Sequence, residues 1–213
     1  MIGKLQQCRK PVAALIAMLV VTLVAPVASA MKLKTQNLTQ LITSSESIVA
    51  GTVMSVSDGI DAAGIPYTEV TIQVGSDAKG KVKEGSEYTF RQFGLLEPHT
   101  AANGHKMLAI SPEGFPRWNE GEYVIAFMHE KAGRTGLQTT AGMAQGKFSV
   151  MNGKLSNQFN NAGLFEDVEI NQQLLSPEQQ SMLTTAGAVD AGQFIDLVGR
   201  AVSENWIGKG DMK

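Results

Sequence analysis

Three periodicities run along this chain, and each predicts a different kind of element. The clearest is a strict two-residue alternation from Tyr67 to Val74. Thr68, Val70, Ile72 and Val74 point one way, and Tyr67, Glu69, Thr71 and Gln73 the other, which predicts a strand buried on one face. Ile48 to Val56 is instead apolar on both faces and rich in β-branched residues, as a strand covered on both sides should be. Gly51 inside it predicts a bulge or a close backbone approach. Glu87 to Phe93 reads as a third strand with Tyr88 and Phe90 on one face, and the apolar run Tyr123 to Met128 as a central strand. Leu137 to Thr140 and Lys147 to Val150 are further strand candidates. Asn152-Gly153, set between Val150 and Leu155, is a two-residue hairpin signal.

Toward both ends the period lengthens to that of a helix. Gln36 to Ile42 predicts a short helix with Leu38, Leu41 and Ile42 on one side. Near the C-terminus, Ser176-Pro177-Glu178-Gln179 combines an N-cap serine, a proline at the first helical position and a capping-box glutamine. Asp190 and Gln193 repeat the box ahead of the apolar positions Phe194, Val198, Ala201 and Val202. The expected fold is therefore mainly β within the α+β class, a barrel of about five to six antiparallel strands with a short N-terminal helix and C-terminal helices. The barrel domain is assigned to residues 31–156, and an Asn/Gly-rich joint with the C-terminal helical segment to 157–213.

Residues 1–30 follow neither pattern. Lys4, Arg9 and Lys10 precede an uncharged apolar stretch, Pro26 ends it, and Ala28-Ser29-Ala30 places small residues where a signal peptidase needs them. The expectation is a secretory signal peptide cleaved between Ala30 and Met31, which sends the chain to the periplasm or cell exterior. Cys8 is the one cysteine in the sequence, so the processed chain can form neither a disulfide nor a thiolate metal site. Cleavage removes three of 18 basic residues and none of 20 acidic ones, which takes the net charge from −2 to −5. That balance argues against a nucleic-acid partner. No later segment approaches the roughly 20 apolar residues of a membrane span, so no stable membrane insertion is expected after cleavage.

Motifs for catalysis are mostly absent. Gly75 to Lys81 has the spacing of a phosphate-binding loop, but Val82 stands where a magnesium-binding Ser or Thr belongs, and a charged turn is the simpler reading. His129-Glu130 lacks the second histidine of a zinc-protease motif. His99 and His105, near Glu97 and Glu113, are too few for a zinc site on their own. Glu120 with Glu122, and Glu166 with Asp167, read as surface charge. No catalytic residue, cofactor or metal is expected. The remaining lead lies in Gly94 to Gly121, an aperiodic segment holding Pro98, Pro112 and Pro116 and longer than most connectors. Its Phe115-Pro116-Arg117-Trp118 offers an Arg and a Trp, residue types enriched in binding hot spots. The alternative is that the aromatic rings tuck over the end of the barrel.

Five stretches occur in order that carry a resemblance: Ser47 to Val53, Tyr67 to Thr71, Phe90 to Gly94, Asn119 to Val124 and Gln145 to Val150. Together they resemble an uncharacterised family of exported bacterial proteins often encoded near matrixin-like metalloproteases. The strand pattern is also distantly similar to netrin-like modules, the OB-type barrel of tissue inhibitors of metalloproteinases. The resemblance implies an OB-like barrel and an exported metalloprotease as partner. It departs from the tissue inhibitors at the N-terminus, where they use a cysteine on zinc and cleavage here leaves Met31. The functional expectation is an exported, non-enzymatic binding or accessory protein that modulates such a protease. The alternative is an extracytoplasmic hydrolase, for example one acting on glycans, that uses carboxylates near the 94–121 loop. Oligomeric state is not readable from the sequence.

Overall fold

The computed structural model describes residues 34–100 and 104–213. The expected cleavage site, with Ala28, Ala30 and Met31, lies outside the described residues. Helix α1 (Leu38–Ser44) opens them, and Asn37 caps it in a box with Gln40. Strands β1 (Ser47–Ile60), β2 (Pro66–Asp77) and β3 (Glu87–Phe93) follow as an antiparallel meander. The short strands β4 (His99–Thr100) and β5 (Lys106–Met107) pair with each other inside the long loop. Strands β6 (Tyr123–Met128), β7 (Lys147–Met151), β8 (Lys154–Asn157) and β9 (Val189–Asp190) complete the main sheet. Helices α2 (Pro177–Leu183), α3 (Ala191–Ser203) and α4 (Trp206–Lys209) belong to the C-terminal part.

The main sheet is seven-stranded and antiparallel, in the order β3-β2-β1-β6-β7-β8-β9. It is open, and this corrects the expected barrel. Closure would require a ladder between the edge strands β3 and β9, and these do not pair. One edge of the central strand β6 pairs with β1 from Ser47 to Thr52. The other pairs with β7 along Tyr123–Ala126 and then, through Met128 and His129, with Thr140 and Thr139. Gln138 next donates its N–H to the Arg91 carbonyl of β3 at 2.7 Å. The expected Leu137–Thr140 strand is reduced to this bridging segment.

Antiparallel pairing places directly opposed residues on the same face, which sorts the apolar side chains into two cores. Ile48 and Ala50 of β1 oppose Phe127 and Ile125 of β6, and Phe148 of β7 opposes Ile125. These pack with Phe194, Leu197, Val198 and Ala201 of α3 and with Trp206. Val49 and Val53 of β1 share the other face with Val124, Ala126 and Met128, and join Val70, Ile72, Phe90 and Trp118. Gly51 sits at a register shift between β1 and β2. A Cβ there would lie 2.2 Å from the Gln73 carbonyl oxygen, so the close approach expected at this glycine is present.

Of the two capping boxes expected near the C-terminus, the first forms in full and the second only as an N-cap. Ser176 and Gln179 form the reciprocal capping box of α2, with Pro177 at its start, and the Asp190 carboxylate accepts from the Gln193 N–H at the start of α3. Asn152 and Gly153 both have positive φ, 52° and 71°, as a tight hairpin turn of the I′ kind requires. The strands β7 and β8 pair across it from Met151 and Lys154 outward.

Candidate functional site

The loop-covered face is where titratable and polar side chains converge. Two-residue periodicity puts Glu122 on the side of β6 that holds Val124 and Ala126. Their direct partners on β7 are Ser149 and Lys147. Glu122, Lys147 and Ser149 therefore meet on one face although 27 residues separate the outer two. The Lys147 ammonium donates to Glu122 Oε1 at 2.6 Å and to Ser149 Oγ at 2.9 Å. The Ser149 hydroxyl hydrogen-bonds Glu122 Oε1 as well. Lys147 is 7% exposed, rare for a lysine without a charged partner. Burial pushes its pKa below the ordinary lysine value, and the Glu122 carboxylate opposes that shift. The expectation that Glu122 is surface charge is thereby corrected; Glu120, by contrast, is exposed and accepts from the Val56 N–H.

The segment after β3 roofs this cluster. Trp118 is 6% exposed, with its ring edge-on to Phe90 at a centroid distance of 5.2 Å. Its indole N–H donates to Gln92 Oε1 at 3.0 Å, and Gln92 Nε2 donates in turn to the Pro116 carbonyl at 3.0 Å. Gln92 thus satisfies both polar groups that burying this stretch would otherwise orphan. The Lys147 ammonium lies 5.6 Å from the Trp118 ring centroid, within cation–π range. Of the two residues singled out in the loop, Trp118 is a core side chain and Arg117 is exposed. A ring already inside cannot bury itself again on docking.

Arg117 stands between two clefts. One, of about 440 Å³, is lined by Arg117, Asn119, Glu122, Lys147, Ser149 and Ser156 among others. The other, of about 320 Å³, lies between β3 and the loop, against Leu95, Ile110, Phe115 and Trp118. Beyond it the loop projects as a two-armed extension joined by the Leu95–Ile110 bridge and by the pairing of β4 with β5. Asp58 of β1 pins one arm. Its carboxylate accepts from the backbone N–H groups of Leu96 and Glu97 at 2.5 and 3.0 Å, and lies 3.0 Å from the His99 ring. Burial works to raise the Asp58 pKa, but the Glu97 amide, the His99 ring and the Leu96 amide together hold it below the ordinary value. Outward, the extension presents Leu96 at 53% and Leu108 at 73% exposure.

Several motif readings resolve at this stage. The phosphate-loop-like Gly75 to Lys81 is a turn organised by Asp77, which accepts from the N–H groups of Ile48, Lys79, Lys81 and Val82. His99 faces Asp58 on one arm, and His105 lies exposed on the other. Among the described residues no group of three or more His, Cys, Asp and Glu is placed to hold a metal ion. Sequence reasoning missed Asp58, Gln92, Lys147 and Ser149. That Lys147 shares a face with Val124 and Ala126 follows from the register of β6 with β7, which no local pattern in the sequence specifies. No family model, curated protein or solved structure matches this chain.

Proposed function

We propose that the protein is an exported, non-enzymatic binding protein that engages another exported protein through the 94–121 segment. The observation that carries this reading is the pinned extension, on which Leu96 and Leu108 stand largely exposed while Asp58 fixes the arm beneath. Apolar side chains held out on a pre-ordered element lose little conformational entropy on docking. Arg117 at the base adds a residue type favoured at interfaces. The partner class follows the resemblance, an exported metalloprotease, engaged without a cysteine on its zinc. Leu96→Asp with Leu108→Asp should weaken binding of the mature chain to such a protease about tenfold or more, read by calorimetry, and leave its melting temperature nearly unchanged. Affinity that survives the double substitution would overturn the reading.

A hydrolase is the second reading, and the Glu122–Lys147–Ser149 cluster is what favours it. Its chemistry is restricted. With Lys147 charged, the hydroxyl proton of Ser149 points to Glu122, and the lysine has no lone pair with which to act as a base. A two-carboxylate glycosidase needs acids about 5 to 9.5 Å apart, and Glu122 is the single carboxylate lining this cleft. Hydrolysis of a fluorogenic ester or glycoside that disappears with Ser149→Ala would support this reading over the first.

A further inference from the structure

We infer a second binding site, on the opposite face from the loop, that takes the apolar end of a small molecule. A cavity of about 200 Å³ lies between the β1–β2 end of the sheet and α3. Ile48, Ala50, Ala78 and Ile125 form one wall, and Phe194, Ile195 and Val198 the other. Ser76 and Asp77 stand at its rim. The Asp77 carboxylate is already taken up by four backbone N–H groups, so it offers little to a water or an ion inside. The apolar lining offers few polar partners to hold an ordered water, and a space of about 150 Å³ suffices for benzene.

Gly199 lines the space on the helix side. It lies within α3, between buried Val198 and Ala201, where glycine is among the least favourable helix residues. Ile195, Gly199 and Val202 form the half-buried stripe beside the fully buried one. A Cβ built on Gly199 would meet no atom within 4 Å, so packing does not demand the glycine. The missing side chain leaves a mouth at the edge of the core, open to solvent along that stripe. Size and lining fit a single aromatic ring or a short alkyl chain, uncharged where it enters. This site is independent of the loop and of the binding reading above.

Titration of the mature protein with toluene and with 1-hexanol, followed by methyl NMR, tests the inference. Saturable shifts should centre on Ile48, Ile125, Ile195 and Val198. Gly199→Leu fills the cavity from the helix and should weaken probe binding at least tenfold while raising the melting temperature. Ala78→Leu fills it from the sheet side and should do the same to binding, which guards against one variant failing to fold. Absence of saturable shifts, or shifts that persist in both filled variants, would overturn the site.

Discussion

On one face of the sheet, α3 lays Phe194 against Phe127 and Phe148, at centroid distances of 6.3 and 5.3 Å. On the other, a segment without regular secondary structure lays Trp118 against Phe90. The first cover is apolar. Its helix satisfies its own backbone, so burial demands little beyond matching shapes. The second cover must bring irregular backbone and an indole N–H into contact with a core, and each polar group needs a partner. Gln92 and Asp58 supply partners from the strands beneath, 24 and 38 residues from the groups they bind, and the Lys147 ammonium lies against the Trp118 ring. A loop can thus close a core, provided the sheet beneath contributes polar side chains at the right parity.

The comparison is broken most sharply by removing each anchor. Phe194→Ala should cost about 3 to 5 kcal/mol in denaturant unfolding, the range for a large buried aromatic. Trp118→Ala removes a comparable volume and also orphans Gln92, yet its first consequence should be local: faster proteolysis between residues 94 and 121 while the helix face stays intact. If both substitutions melt the whole domain alike, the two covers form one cooperative unit and the contrast fails.

The buried ion pair comes next. Glu122→Gln leaves the Lys147 charge without its counter-ion and should cost about 3 kcal/mol. Glu122→Leu combined with Lys147→Met replaces the pair by apolar groups and should recover most of that loss, because the desolvation of both charges disappears with them. Failure of the double variant to recover would mean that the hydrogen bonds of Ser149 to this pair contribute more than the charges cost.

The smallest effect is the pH dependence of the arm. Asp58 titrates below its unfolded value, so its stabilisation is complete above the unfolded pKa of about 3.9 and is lost as pH falls through the lower folded pKa. Protection of the Leu96 and Glu97 amides, taken relative to their intrinsic exchange rates at each pH, should fall on acidification through that window while core amides stay protected. Asp58→Asn should accelerate the same two amides at neutral pH and flatten the acid response. Equal acceleration across the sheet would show that the arm is not an independent unit.

The strands and caps were legible because their causes are local. The alternation from Tyr67 to Val74, the Asn152-Gly153 turn and the Ser176 box each arise from side chains acting on backbone within a few residues. The loop was legible as a feature but not in its content. Whether Trp118 faces solvent or core depends on Gln92, 26 residues away, and no periodicity announces such a partner. Glu122 was misplaced for a related reason. Its charge reads as surface until the register of β6 with β7 sets Lys147 beside it.

Sequence alone determined the class of the fold, mainly β with α+β helices, since the periods of 2 and 3.6 are backbone properties that any tertiary setting must respect. It also determined where the tight turns and helix starts fall. Tertiary structure decided that the sheet stays open, because its edge strands β3 and β9 stand at opposite ends of the strand order and do not pair. It decided too which loop residues face inward and which three polar side chains meet beneath them. Those outcomes turn on contacts between residues tens of positions apart, whose geometry exists only once the chain has folded.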